Sequence, residues 1–303
     1  MLNFQKIDLS RREEYTRYLM NCGERGCEYS LVNLFLWGTQ RVTFVDGCLA
    51  LFSQFRRSSV YPFPIGDGDI GAVLDAILHD ARARGLQCRM SSMTAGDCAV
   101  LEARYPGQFC FHPDVDGSDY VYDINALADL PGRKYQRKRN HLNRFRQQYP
   151  DCRLVNIDET NRAAVLEMAE KWYASRQDTE SEDDFHMERV ALHRAFAHYD
   201  ELELEGVALV EDGRVLAMSL GSFLNNQTFD VHFEKALEDV DGAYAAINQG
   251  FAAHLREKYP ALRFLNREDD LGLPGLRQAK LSYHPDHMVV KFWAHLLEDD
   301  DEH

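Results

Sequence analysis

The sequence predicts a mixed α/β fold built of two similarly ordered halves. Three observations carry that reading: a three-stranded meander in the C-terminal part, an amphipathic helix directly after it, and a comparable order of elements in the N-terminal part. The sheets are expected to be mixed and mostly antiparallel, with helices flanking them.

The meander is the clearest signal. After Asp200 come EGVALV, the turn Asp212-Gly213, RVLAMSLGSF, a polar break at Asn225-Asn226-Gln227, and TFDVHFE. An Asp-Gly pair between alternating apolar runs is the pattern of a tight hairpin. In AYAAINQGFAAHLREKYP, Tyr244, Ile247, Phe251 and Leu255 recur at helical spacing until Tyr259-Pro260 stops the helix. A strand LRFL, a helix around LRQAKLS and a strand MVVKFW follow. Ahead of the meander, helices near 161–175 (Val165, Met168, Trp172) and 185–199 (Phe185, Leu192, Phe196, Tyr199) present matching apolar stripes.

The N-terminal part runs in a similar order. Helices near 10–20 and 29–37 precede a hairpin VTFV, Asp46-Gly47, CLALF, then helix AVLDAILHDARARG, strand QCRMS, helix DCAVLEARYP and strand YVYDI. Matching element order suggests an internal duplication, with domains at 1–128 and 129–303.

Between them lies a helix that starts near Asp129 as N-cap, carries Pro131 in its first turn and runs to Tyr149, where Pro150 stops it. Tyr135, Leu142, Phe145 and Tyr149 form its one apolar stripe. Its remaining faces hold Arg133, Lys134, Arg137, Lys138, Arg139 and Arg144, in a segment without an acid. The chain as a whole carries a net charge of −15, much of it in the tail LEDDDEH. A dense basic segment in an acidic protein points to an anionic partner there, RNA above all; the alternative is a solvated face paired with acids elsewhere.

With 303 residues and 45% apolar content the chain has enough material for two cores. No run of about 18 apolar residues suggests a membrane span. Seven cysteines without a CxxC pair fit a reducing compartment, so a cytoplasmic protein with no integral membrane association is expected. His186, His193 and His198, and the pair His284 and His287, have no further Cys or carboxylate at ligand spacing, so no metal is expected.

Two long segments, LPGRKYQRKRNHLNRF at 130–145 and FLNREDDLGLPGLRQAKLSYHP at 264–285, together with FDVHFEKA and DGAYAAINQGF, resemble the family of the C-terminal domain of phosphatidylglycerol lysyltransferase. The resemblance covers nearly the whole chain. It implies two tandem GNAT-like (acyl-CoA N-acyltransferase-like) domains, as in Fem-type aminoacyl-transferases. It also implies an aminoacyl-transferase that moves an aminoacyl group from aminoacyl-tRNA to an amine or hydroxyl of a small-molecule or peptide acceptor. The alternatives are an acyl-CoA-dependent N-acyltransferase and a non-catalytic ligand-binding protein of the same fold.

The residues suggest where such chemistry lies. In TFDVHFEKA, Asp230, His232 and Glu234 alternate with Phe229, Val231 and Phe233, which places three ionisable groups on one strand face. Such a face is either solvated or functional. By likeness to GNAT enzymes, Glu234 or His232 is the expected base that deprotonates the acceptor. Asn266, Arg267, Asp269, Asp270 and Lys280 are the expected substrate contacts: the two aspartates for an ammonium, Arg267 for a carboxylate or phosphate. The other reading of that loop is a helix cap built on Asp270 or its neighbours. Tyr283, four residues after Ala279, resembles the late GNAT tyrosine that protonates the leaving group, and Glu234, Asp269, Asp270 and Tyr283 are expected to line one cavity. Asp239, Gly242 and Tyr244 stand where the GNAT pyrophosphate loop has a cation and small residues, so weak or no coenzyme A binding is expected.

Overall fold

The structure, a computed structural model, describes residues 1–37, 40–55, 58–175 and 182–297. The acidic tail from residue 298 and the Phe185 side chain lie outside what is described. In chain order the elements are β1 (Gln5–Lys6), α1 (Arg12–Leu19), α2 (Leu31–Leu36), β2 (Gln40–Val45), β3 (Cys48–Phe55), β4 (Ser58–Pro62), β5 (Ile65–Gly66), α3 (Ile70–Ala83), β6 (Arg89–Met93), α4 (Ala95–Arg104) and β7 (Phe109–Asp123). There follow α5 (Ile124–Asp129), α6 (Gln136–Gln148), β8 (Arg153–Asn156), α7 (Arg162–Ser175), α8 (Glu182–Ala197), β9 (Glu205–Glu211), β10 (Arg214–Phe223), β11 (Thr228–Ala236), α9 (Ala243–Lys258), β12 (Phe264–Asn266), α10 (Pro274–Leu281) and β13 (His287–Leu296).

The chain forms two units. The first comprises Met1–Asp119, Asp269–Pro274 and Met288–His303; the second comprises Tyr120–Glu268 and Gly275–His287. In the first unit the strands run β1-β2-β3-β4-β6-β13-β7, with β5 beside β3. The pairs β1–β2, β2–β3, β3–β4, β3–β5 and β6–β13 are antiparallel, whereas β4 and β6 run parallel, as the helical crossover α3 between them requires. One apolar cluster joins Phe52, Tyr61, Ile77, Met90, Phe109 and Ala294; another joins Tyr15, Tyr29, Leu34, Leu49 and Leu51.

In the second unit the last residues of β7 pair with β12, and the order continues β11, β10, β9, β8. Only β11 and β12 pair in parallel, again across a helix, α9. The predicted meander is present as β9 to β11, but β11 is bulged at His232, opposite Leu220 and Gly221. A side chain at Gly221 would lie 1.9 Å from the Asp230 carbonyl oxygen, so the close approach at the bulge requires glycine. Helix α9 packs on β9, β10 and β11, and α5 and α6 pack in turn on α9.

The junction helix differs from its expected bounds. Leu130 and Gly132 adopt positive φ (47° and 73°), which ends α5 and delays the next helix; residues 133–135 form a 3₁₀ turn and α6 begins at Gln136. Asp129 closes α5 and pairs with Arg256 at 2.7 Å. The apolar stripe holds: Tyr135, Leu142 and Phe145 are buried. Among the described residues no helix is long and apolar enough to cross a membrane.

Candidate active site

Within the second unit, four elements bring polar side chains to one point. Strand β11 presents Glu234, the residue after β12 is Arg267, the turn after α10 supplies Tyr283, and α6 supplies Lys138. Arg267 Nη2 donates to Glu234 Oε1 at 2.9 Å, and the other Glu234 oxygen accepts weakly from Asn248 Nδ2 at 3.3 Å and Ser219 Oγ at 3.4 Å. Both partners of this pair are largely withdrawn from water, with side chains 10% and 14% exposed. The Arg267 guanidinium stands 5.0 Å from the Tyr283 ring and 5.6 Å from the Tyr122 ring. The Lys138 ammonium sits over the same Tyr283 ring at 3.6 Å. Tyr283 is therefore the platform on which two cations meet, a contact that strengthens as water is excluded.

The electrostatics follow from that crowding. Burial pushes the Lys138 amine down, the neighbouring Arg267 charge pushes it further, and Glu234 only partly offsets them; it settles at about 8. Arg267 stays charged: burial opposes its charge, and Glu234 with the surrounding rings outweighs the opposition. Burial raises the Tyr283 and Tyr122 phenols, so both remain protonated. Arg267 Nη1 and Asn248 Oδ1 are buried and make no hydrogen bond. An unsatisfied buried guanidinium donor costs more than an ordinary lost hydrogen bond, and it marks a place for an acceptor oxygen.

A second cluster lies on β11. His232 Nε2 meets Ser222 Oγ at 2.8 Å, while its Nδ1 lies 3.2 Å from Glu268 and 3.5 Å from Asp230. The one strand face expected to hold Asp230, His232 and Glu234 is thus divided between two clusters. Asn266 accepts the Glu268 backbone N–H at 2.7 Å, and Lys280 donates to the Arg267 carbonyl at 2.5 Å, so both shape the chain around Arg267. Asp269 and Asp270 belong to the first unit, where they accept backbone N–H groups from Leu271 and Gly272. Among the described residues, hollows of the second unit include one of about 690 Å³ beside α7 and Asp239 and one of about 470 Å³ along Arg137, His141 and Arg144. Neither is lined by Glu234, Asp269, Asp270 or Tyr283.

The basic residues serve different ends. Arg139 donates to the carbonyls of Leu130 and Gly132 and so ties down the turn before α6. Arg144 pairs with Asp241 at 3.1 Å. Arg133, Lys134 and Arg137 are exposed and make no ion pair among the described residues. At the N-terminus of α9, Gly242 has φ 81° and no side-chain cap; a Cβ there would lie 2.4 Å from the His141 carbonyl oxygen. Asp239 pairs with Arg214 at 2.7 Å, and Tyr244 accepts a hydrogen bond from Trp172 at 2.8 Å. A carbonyl and Asp241 thus occupy the helix end that would otherwise attract a phosphate.

Sequence reasoning assigned Lys138 to the outer, anion-binding set and did not single out Tyr122, Ser219 or Asn248. A signal for Lys138 was present: positions 135, 138, 142 and 145 share one helical face, so a lysine interrupts the buried stripe.

Comparisons with known proteins agree with this architecture. Residues 20–295 match the family described as phosphatidylglycerol lysyltransferase, C-terminal. A protein of unknown function from Bacteroides thetaiotaomicron VPI-5482 is 36% identical, with a TM-score of 0.92 over 98% of this chain and 100% of that one. L-PGS from Bacillus licheniformis is 15% identical, with a TM-score of 0.69 over 98% and 94% of the two chains. FemX (10% identical, TM-score 0.62, 98% of each chain) and a tandem GNAT protein from the clavulanic acid biosynthesis pathway (11%, 0.52, 99% and 100%) show the same fold. An uncharacterized protein of Mycoplasmoides gallisepticum is 26% identical over 181 residues, which span 59% of this chain and 56% of that protein's length.

Proposed function

The chain belongs to the family of phosphatidylglycerol lysyltransferase C-terminal domains, and from that premise we propose that it is an aminoacyl-transferase, moving an aminoacyl group from aminoacyl-tRNA to an amine or hydroxyl acceptor. The observation that carries the reading is the buried, unsatisfied Nη1 of Arg267 beside a lysine whose amine titrates near 8. A fixed guanidinium donor suits an ester carbonyl oxygen, on which negative charge grows during acyl transfer. Glu234 holds the guanidinium in place.

In the proposed reaction the acceptor heteroatom loses its proton to Lys138 or Glu234 and bonds to the ester carbon. The carbon–oxygen bond to the ribose then breaks. The ribose oxygen leaves with a proton from Tyr283, whose hydroxyl makes no hydrogen bond among the described residues. The exposed Arg133, Lys134 and Arg137 hold tRNA phosphates, with their salt dependence as the signature. The carbonyl and acid at the α9 N-terminus speak against a coenzyme A donor.

Incubation with tRNA charged with labelled amino acids, in the presence of a fractionated pool of acceptors, tests the proposal. Label should pass to a non-tRNA product, and Arg267→Met should abolish transfer, with the melting temperature measured alongside because Glu234 loses its buried partner. Consumption of acyl-CoA with no transfer from charged tRNA would overturn it.

A further inference from the structure

The first unit holds a second group of reactive side chains, remote in sequence and outside the chemistry above. Cys110 and His112 lie two residues apart on β7; Trp293 and His295 lie two apart on the neighbouring β13. The residues that alternate with them, Phe111, Phe292 and Ala294, pack in or against the apolar core, so alternation places Cys110, His112, Trp293 and His295 on the opposite sheet face. One donor atom each from Cys110, His112 and His295 lies within 4.8 Å of the other two. All three residues are partly exposed and open to an ion from solvent.

Two facts separate this group from a chance stack of rings. His112 packs 4.0 Å from Trp293 and 5.2 Å from His295, which accounts for the ring faces but not for the nitrogens. His112 Nε2 and His295 Nδ1 are buried and have no hydrogen-bond partner. Leaving both so costs about 1–3 kcal/mol each. The contrast with Cys27, Glu28 and Asp119, a similar group in the same unit, is direct: there the Lys291 ammonium lies 2.7 Å from Glu28 and 2.5 Å from Asp119 and already fills the place of a cation.

We propose that Cys110, His112 and His295 bind one divalent ion of the zinc class, through the thiolate and one nitrogen of each imidazole, leaving a fourth position for water or an outside ligand. One thiolate with two imidazoles is a borderline-soft donor set that favours zinc, cobalt or copper over magnesium or calcium. Tetrahedral bonds of about 2.0–2.3 Å put donor atoms roughly 3.3–3.8 Å apart, so the His112 and His295 rings, now nearly parallel at 12°, turn towards the ion on binding. Sequence spacing could not reveal the site, because His295 lies far along the chain from its partners.

Cobalt(II) provides the test. The full chain, treated with chelator and then titrated with cobalt(II), should bind one equivalent and develop tetrahedral visible bands with a near-ultraviolet thiolate-to-cobalt band; zinc(II) should displace both. Cys110→Ser should remove the near-ultraviolet band, and His112→Ala and His295→Ala should each weaken binding at least tenfold, with melting temperatures measured alongside. A wild-type spectrum without a thiolate band overturns the proposal whatever the variants do, and so does a band that survives Cys110→Ser.

Discussion

Lys138 is an ammonium placed where ammonium is costly, over an aromatic ring and beside a guanidinium. Its folded value of about 8 lies below the 10.5 of a free lysine, so the charged form is disfavoured by folding. The unfolded chain therefore binds more protons between about pH 8 and 10.5, and stability rises with pH through that window. Replacing Lys138 with Met should raise stability at pH 7 by about 1 kcal/mol, a figure discounted for partial exposure, with the gain shrinking above pH 8. Denaturant melts at pH 7 and pH 10 measure it; equal effects at both would show that the lysine is not strained. In a transfer assay the same variant should lose the activity limb near pH 8 if Lys138 takes the acceptor proton. Arg267 stood out in the sequence by its place in the loop after a strand, whereas Lys138 was hidden by its company. Six cations in a row read as one surface, and only the 135–138–142–145 spacing distinguishes the one that turns inward.

Helix α6 shows the same limit at the scale of an element. Its existence, its stripe and its end at Tyr149 follow from periodicity and Pro150, but its beginning does not, because the positive φ of Leu130 and Gly132 is a tertiary choice secured by Arg139. That assignment of roles sharpens the RNA prediction. Changing Arg133, Lys134 and Arg137 together to Glu spares the structural Arg139 and the central Lys138. It should lower the slope of log affinity for tRNA against log salt by about 2, at roughly 0.7 per lost phosphate contact. Filter binding at several salt concentrations reads it, and an unchanged slope would place the RNA elsewhere. The packing of α6 on α9 is equally specific. Gly242→Ala meets the His141 carbonyl at 2.4 Å and adopts a left-handed φ, so a loss on the order of 1–3 kcal/mol is expected in denaturant unfolding. A neutral effect would mean that α6 shifts freely on α9.

On the scale of the whole molecule, the meander and the following helix were readable because each is local. The destination of the last strand was not: MVVKFW reads as the end of the C-terminal half, yet β13 pairs with β6 in the first unit. Besides apolar packing, β13 is anchored by Lys291, which is 2% exposed and donates to Asp119 at 2.5 Å and Glu28 at 2.7 Å. Burial opposes its charge, but Asp119, Cys27 and Glu28 hold the ammonium protonated well above the usual lysine range. A buried ion pair adds little net stability when intact, but removal of one partner strands the other. Lys291→Met should therefore cost about 3–5 kcal/mol at neutral pH, because Asp119, fully buried, loses the Lys291 ammonium. Adding Asp119→Asn should recover part of that loss at pH 7, since the amide carries no charge. Urea unfolding of the single and double variants at pH 7 measures both values. If the single variant loses under 1 kcal/mol, or the double variant is no better than the single, the cluster does not fix the last strand and packing alone must place it.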